Sequence, residues 1–163
     1  MTANRRASDA GLGDLRGQNR SRVLALDAMV PITAPGNPVD AISPAILARV
    51  FAGRVTNWKE LGGPDAPISI HLRDSKSGLS QAVQDRLMTP AALVLDSDVQ
   101  RHATNKALTE AVTGDPFAIG ISSYSETGNA DVLVLTGTCG FSLRAGRVTI
   151  KTEDYPLTAP MFL

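Results

Sequence analysis

The stretch from Ile68 to Met88 reads as a strand, a polar turn and a helix with nothing between them. Ile68, Ile70 and Leu72 alternate with Ser69 and His71, the period of a strand with one apolar face. Arg73-Asp74-Ser75-Lys76 is a short polar turn. The spacing then predicts a helix opening at about Ser77, with Val83 and Leu87 four residues apart on one side. Strands and helices continue to alternate along the chain, which argues an α/β fold with a mixed sheet.

The junction itself has a chemistry. A helix start leaves backbone N–H groups without intrahelical partners, and the helix dipole favours negative charge there. Gly78 has no Cβ, so a ligand can approach the backbone closely. Ser75, Ser77 and Ser80 can add hydroxyl donors, and Arg73 could bring a bidentate fork onto an oxyanion. These residues describe an anion cradle. The plainer reading is that Ser77 is only an N-cap and Gly78 only eases the turn. No Gly-x-x-x-x-Gly-Lys-[Ser/Thr] occurs, so the junction is not a P-loop.

With 163 residues, the chain makes one domain or two small lobes with a real core. Sixteen basic and sixteen acidic residues cancel, so no global field points to nucleic acid. Arg5, Arg6, Arg16, Arg20 and Arg22 outnumber Asp9 and Asp14 near the start, as a solvated terminus would. No apolar run has the length of a membrane span. Met1 to Arg6 is charged but has no apolar segment behind it, so it does not read as a signal peptide. The protein is then either cytosolic or preceded by a leader and more chain upstream of Met1. Cys139 is alone, and the only histidines are His71 and His102, so neither a metal site nor a cofactor is expected. No nucleophile–base pair stands at any motif spacing, which reads as no enzyme.

Along the chain, residues 1–20 read as loop and Arg22–Thr33 as a β-rich run. Pro31 within that run suggests an edge strand or one changing partners. Ser43-Pro44 is a helix start, with Ile46, Leu47, Val50 and Phe51 as its stripe and Gly53 as its stop. Asn57 caps a short helix over Trp58–Leu61, and Trp58 is expected as a core plug. Thr89-Pro90 breaks the chain, and Ala91–His102 reads equally as strand or buried helix. Thr104 or Asn105 caps a helix over Lys106–Thr113. Phe117–Ser122 is a strand whose Gly120 implies close backbone approach. Asp131–Thr136 and Arg147–Thr152 are expected as further strands, and Tyr155–Pro160 as extended. His71, opposite in phase to Ile70 and Leu72, is expected at the surface, as is Lys76; Tyr124 is a cleft candidate.

Several runs together resemble the substrate-binding proteins of phosphate ABC transporters. They are Leu47-Ala-Arg-Val-Phe-Ala-Gly-Arg-Val-Thr-Asn-Trp58, Arg73-Asp-Ser-Lys-Ser-Gly78, Asp115-Pro-Phe-Ala-Ile-Gly120 and Lys151-Thr-Glu-Asp-Tyr-Pro-Leu157. The resemblance runs from about Asp9 to the C-terminus. It is greatest to the branch sometimes fused to a peptidoglycan-binding domain like outer-membrane protein A, none of which is present here.

The resemblance implies a type II periplasmic-binding-protein-like fold, two α/β lobes about a hinge with the ligand between them. Residues 1–30 would be a partial first lobe and hinge strand, 31–125 the second α/β lobe, and 126–163 strands returning toward the first. The implied function is non-catalytic binding of inorganic phosphate or a similar oxyanion, in the periplasm, for an ABC permease, with neither nucleic acid nor membrane insertion. The family arginine falls on Arg73 and its serine–glycine pair on Ser77-Gly78. The family's next position is usually threonine and is Leu79 here, so a hydroxyl donor is absent, and Leu79→Thr is expected to restore one. The family's serine–aspartate element falls on Gly13-Asp14, with Ser8-Asp9 the competing alignment. Asp14 would then accept a proton from a partly protonated phosphate; otherwise it is a loop aspartate beside Gly17. The family's opening strand and Gly/Ser/Thr-rich loop find no counterpart before Asp9, so most of the first lobe is expected to be missing. The alternative is a module that keeps the lobe fold without the ligand and self-associates, as a homodimer for instance.

Overall fold

The computed structural model describes residues 23–137, 141–151 and 154–162. Gly13, Asp14, the Ser8-Asp9 pair and Cys139 lie outside the described residues.

The first element, β1 (Val23–Thr33), is a single strand of 11 residues that carries Pro31 within it. On one edge it pairs antiparallel with β5 from Met29 to Thr33. On the other edge it pairs with β9 through Val23–Ala28, and with β6 at Ile32 and Thr33. Pro31 sits between these two partners. Its carbonyl accepts from the Leu133 N–H at 2.9 Å, and its missing N–H falls where no ladder bond is needed. The proline therefore marks a strand changing partners.

The short β2 (Ala41–Ile42) leads into α1 (Pro44–Phe51). Ser43 caps that helix by accepting from the Ile46 N–H, Pro44 takes the first turn, and Leu47, Ala48, Val50 and Phe51 are buried. Gly53 ends it at φ +65°, and a Cβ there would lie 1.8 Å from an Asp96 carboxylate oxygen, so only glycine fits. Asn57 caps a single 3₁₀ turn over Trp58–Leu61 in a capping box with Glu60. Trp58 is fully buried, and its indole N–H donates to the Phe117 carbonyl at 2.9 Å.

Next come β3 (Ser69–Arg73) and α2 (Gly78–Val83), which runs on as a π-helical turn over Gln84–Met88. Leu79, Val83, Leu87 and Met88 form its buried face. The segment from Ala91 to Val99 is neither strand nor helix. Only Gln100–His102 is regular, as β4. Then follow α3 (Asn105–Gly114), capped by Thr104, and the fully buried β5 (Ala118–Ser123).

The expected strand over Asp131–Thr136 divides into β6 (Asp131–Val132) and β7 (Val134–Thr136), which join different sheets. After β8 (Ser142–Leu143), Arg147–Lys151 is α4 and not the strand its β-branched residues suggest. The Ile150 N–H bonds back to the Gly146 carbonyl and buries the Ile150 side chain, so packing overrides a weak propensity. The last element is β9 (Thr158–Phe162).

The main sheet runs β4-β3-β5-β1-β6, with β9 also on β1. β3 is parallel to both β4 and β5, whereas β1 is antiparallel to β5, so the sheet is mixed as expected. A second, smaller sheet runs β2-β7-β8. α3 packs on β5 and β3, and α2 on β3, β5 and β1. Gly120 lets α3 come close: a Cβ there would meet Val112 Cγ2 at 2.9 Å. Among the described residues, no helix is long and apolar enough to cross a membrane.

Candidate functional site

Because β3, β4 and β5 are parallel, their carboxyl ends lie along one edge of the sheet. Ligands of open α/β sheets bind outside such an edge. Three segments meet there: Arg73 with the turn into α2, His102 with the turn into α3, and Ser123 with the 3₁₀ turn Tyr124–Glu126.

The turn after β3 is closed by the Ser77 N–H on the Asp74 carbonyl at 2.9 Å. Ser77 is extended (φ −72°, ψ 145°), and its hydroxyl oxygen accepts from the Ser80 N–H at 3.2 Å. The buried Ser80 hydroxyl in turn donates to the Arg73 carbonyl at 2.7 Å, which pins the helix start to the strand end. The Gly78 and Leu79 N–H groups have no partner among the described residues, as helix geometry requires of a first turn. Beside this start lies a concavity of about 220 Å³ lined by Ser75, Ser80, Gln81, Gln84, Leu95 and Arg101. Arg101 also donates to the Arg73 carbonyl, at 3.0 Å.

The Arg73 side chain is half-buried and held from the β4–α3 side. Its Nε–H donates to the His102 carbonyl at 3.2 Å, Nη2 to the Ala103 carbonyl at 2.8 Å, and Nη1 to Asn105 Oδ1 at 2.8 Å. Asn105 Nδ2 donates onward to the Glu126 carboxylate. Among the described residues, every acceptor on the guanidinium is thus a neutral carbonyl or amide oxygen, and one N–H on each Nη is left over.

Beneath Arg73, His71 Nδ1 lies 3.0 Å from His102 Nε2, with the ring planes within 16° of parallel. His71 is buried, contrary to the expectation of a surface position, because α3 covers its face of β3. Its Nε2 is buried without a partner among the described residues. The tautomer that leaves no buried N–H orphaned has His71 donating from Nδ1 to His102. Burial, then the charge of His102, lowers the His71 pKa from its ordinary value, and Asp115 opposes the shift. Burial also lowers that of His102, against the pull of Asp74.

At the end of β5, the Ser123 hydroxyl donates to the Asp27 carboxylate on β1 and lies 2.8 Å from the Ser125 hydroxyl. Among the described residues, no group of histidine, cysteine and carboxylate side chains could hold a metal ion.

Relatives share this arrangement of elements. The phosphate-binding protein PstS of Borreliella burgdorferi is 39% identical over 69 residues, which cover 42% of this chain and 25% of that protein. An ABC-type phosphate transport receptor from Vibrio cholerae superposes with a TM-score of 0.77 at 21% identity, over 99% of this chain and 64% of its own. A Clostridium perfringens protein solved with bound phosphate superposes with a TM-score of 0.74 at 26% identity, over 99% of this chain and 63% of its own. The model of a PBP superfamily domain matches residues 2–162. The chain belongs to the PBP superfamily. It spans about a quarter of the Borreliella protein and less than two thirds of the two solved chains.

In this PBP domain, Arg73, Ser77, Gly78 and Leu79 fall at one sheet edge, within a single strand–turn–helix element. Asp14 lies outside the described residues. Leu79 brings only its backbone to that edge, because its side chain packs in the core. A threonine there would put its hydroxyl among apolar side chains, so the expectation that position 79 could carry a hydroxyl donor does not fit the packing. Arg73 is tied down rather than free in water. Sequence reasoning treated Asn105 only as a helix cap and overlooked Asp27 and Ser123. Their meeting depends on strand register, for which a single sequence carries no local signal. Lys76 is exposed as expected, and Tyr124 opens the 3₁₀ turn at the same edge, half-buried.

Proposed function

We propose that this PBP domain binds phosphate or a similar oxyanion as the receptor part of an ABC-type solute uptake system, by binding and not by catalysis. The observation that carries the reading is the β3–α2 junction. It sets two backbone N–H groups, at Gly78 and Leu79, on the sheet edge beside two further guanidinium N–H donors of Arg73, all four without a partner among the described residues. An anion there would meet a helix dipole and a charge-assisted donor together. Arg73, Ser77, Gly78 and the backbone of Leu79 are the contacts in this reading, and Asp14 is the proton acceptor of a partly protonated ligand. Residues 31–125 act as the second of two lobes, residues 1–30 as part of the first with the hinge strand, and 126–163 as strands returning toward it. The reading includes work outside the cytoplasmic membrane with a permease partner, and it is supported by the named relatives, which are phosphate-binding and phosphate-transport proteins.

Isothermal titration of the folded chain with phosphate and with sulfate tests this. Heat with phosphate and none with sulfate is the expected result. No heat at millimolar phosphate removes the function from this chain, and a stable dimer indifferent to phosphate supports the self-associating alternative instead.

A further inference from the structure

The Arg73 clasp has an unusual composition. A carboxylate is the strongest side-chain partner for an arginine, because a bidentate ion pair combines charge with geometry. Here the guanidinium is fixed by two backbone carbonyls and the Asn105 amide oxygen, and among the described residues it pairs with no carboxylate. A carboxylate is nevertheless close. Glu126 lies one amide away, on the far side of Asn105, accepting from Asn105 Nδ2. The amide is therefore an insulated link. It receives a hydrogen bond from Arg73 on its oxygen and passes one to Glu126 from its nitrogen, and it carries no charge of its own.

We infer that Asn105 is the residue that positions Arg73 for its ligand while keeping the guanidinium charge un-neutralised, with Glu126 orienting the Asn105 amide. The inference rests on the oxyanion reading above. Its physical content is a separation of two tasks. Geometry is fixed by neutral acceptors, so the attraction of Arg73 for an anion is not already spent on a protein carboxylate. An aspartate at 105 would hold the guanidinium equally well and compete with the ligand for it. The Glu126 bond also selects one of the two amide orientations: rotated by half a turn, Asn105 would present N–H to N–H at Arg73 and oxygen to oxygen at Glu126.

The test uses charge relocation. The double variant Asn105→Asp with Glu126→Gln keeps both hydrogen-bonded contacts and the net charge, with the donor between positions 105 and 126 reversed, but moves the negative charge onto the guanidinium. Phosphate titrations are run on the wild type, Asn105→Ala, the double variant and Arg73→Ala, with side-chain ¹⁵N spectra of Arg73 in each. The double variant is expected to melt as the wild type does and to bind phosphate about tenfold or more weakly, the scale of a charge pair lost from a binding site. Asn105→Ala is expected to average the Arg73 Nη signals, which are separate in the wild type. A double variant that binds phosphate as tightly as the wild type overturns the charge half of the inference. Arg73 Nη signals already averaged in the wild type, or unchanged in Asn105→Ala, overturn the positioning half, whether or not phosphate binds. A wild type that binds no phosphate, or an Arg73→Ala variant that binds it normally, overturns the oxyanion role of Arg73 itself and with it the charge half.

Discussion

His71 Nδ1 and His102 Nε2 face each other at 3.0 Å across the parallel pair β3–β4, directly under the Arg73 clasp. Only one proton can occupy that contact, so the pair is stable with both rings neutral. Both imidazoles titrate below their ordinary 6.5 in the folded chain. Between the folded and unfolded values the unfolded chain therefore binds more protons. Stability is complete above pH 6.5 and is lost as pH falls below it toward the lowered folded values. Asp74 and Asp115 oppose the shift without reversing it. Melting temperatures measured from pH 7.5 to pH 5 are expected to fall on acidification. The double variant His71→Leu with His102→Leu is expected to flatten that part of the curve; an equally steep curve would show that other groups control it.

Arg73→Ala is expected to cost stability as well as binding. It leaves the Ala103 carbonyl without its donor and frees Asn105, which at one or two lost hydrogen bonds amounts to about 1–3 kcal/mol. The stability cost arises because the side chain is clasped by three acceptors and does not stand free in water. Phosphate affinity is expected to weaken by about 2–4 kcal/mol. Arg73→Lys is expected to recover part of the affinity and little of the clasp, because one ammonium cannot reach three separated acceptors. Denaturant melts beside titrations separate the two effects.

Leu79→Thr is expected to destabilise the domain by about 2 kcal/mol or more, through lost apolar contacts and a hydroxyl placed in the core. Urea unfolding reads this directly. A variant as stable as the wild type that bound phosphate more tightly would show that the hydroxyl reaches the ligand after all.

Gly120→Ala is expected to cost about 1–3 kcal/mol, as overpacking does. The new methyl would meet Val112 Cγ2 at 2.9 Å and the His71 carbonyl at 3.3 Å, and neither is the end of a flexible chain. Pairing it with Val112→Ala is expected to restore much of the loss, and the double-mutant cycle measures the coupling.

Features fixed by neighbours in sequence were legible. Ser43, Asn57, Ser77 and Thr104 cap the turns they were expected to cap, Gly53 and Pro31 mark the stop and the change of partner, and Trp58 plugs the core. Each depends on a few adjacent backbone groups or on one large apolar surface. Features fixed by register were not legible. His71 looked exposed because strand alternation cannot say that both faces of β3 are covered. The clasp on Arg73 joins residues about thirty positions apart, and it forms only once β4 lies parallel to β3. Arg147–Lys151 misled for the opposite reason: its β-branched residues carry a local signal that tertiary packing overrode.

The double pairing of β1 also sets an order of assembly. Its β5 partner comes well before the last strand, but the partner of its first half, β9, is among the last residues described. During synthesis the ribosome delivers every other strand of the main sheet before β9. Until β9 arrives, half of β1 presents unpaired backbone to the cell, the kind of edge that recruits other strands. A nascent chain stalled short of Thr158 would carry that open edge for as long as the stall lasted, so the speed of translation through β9 bears on how much of this protein reaches its native form.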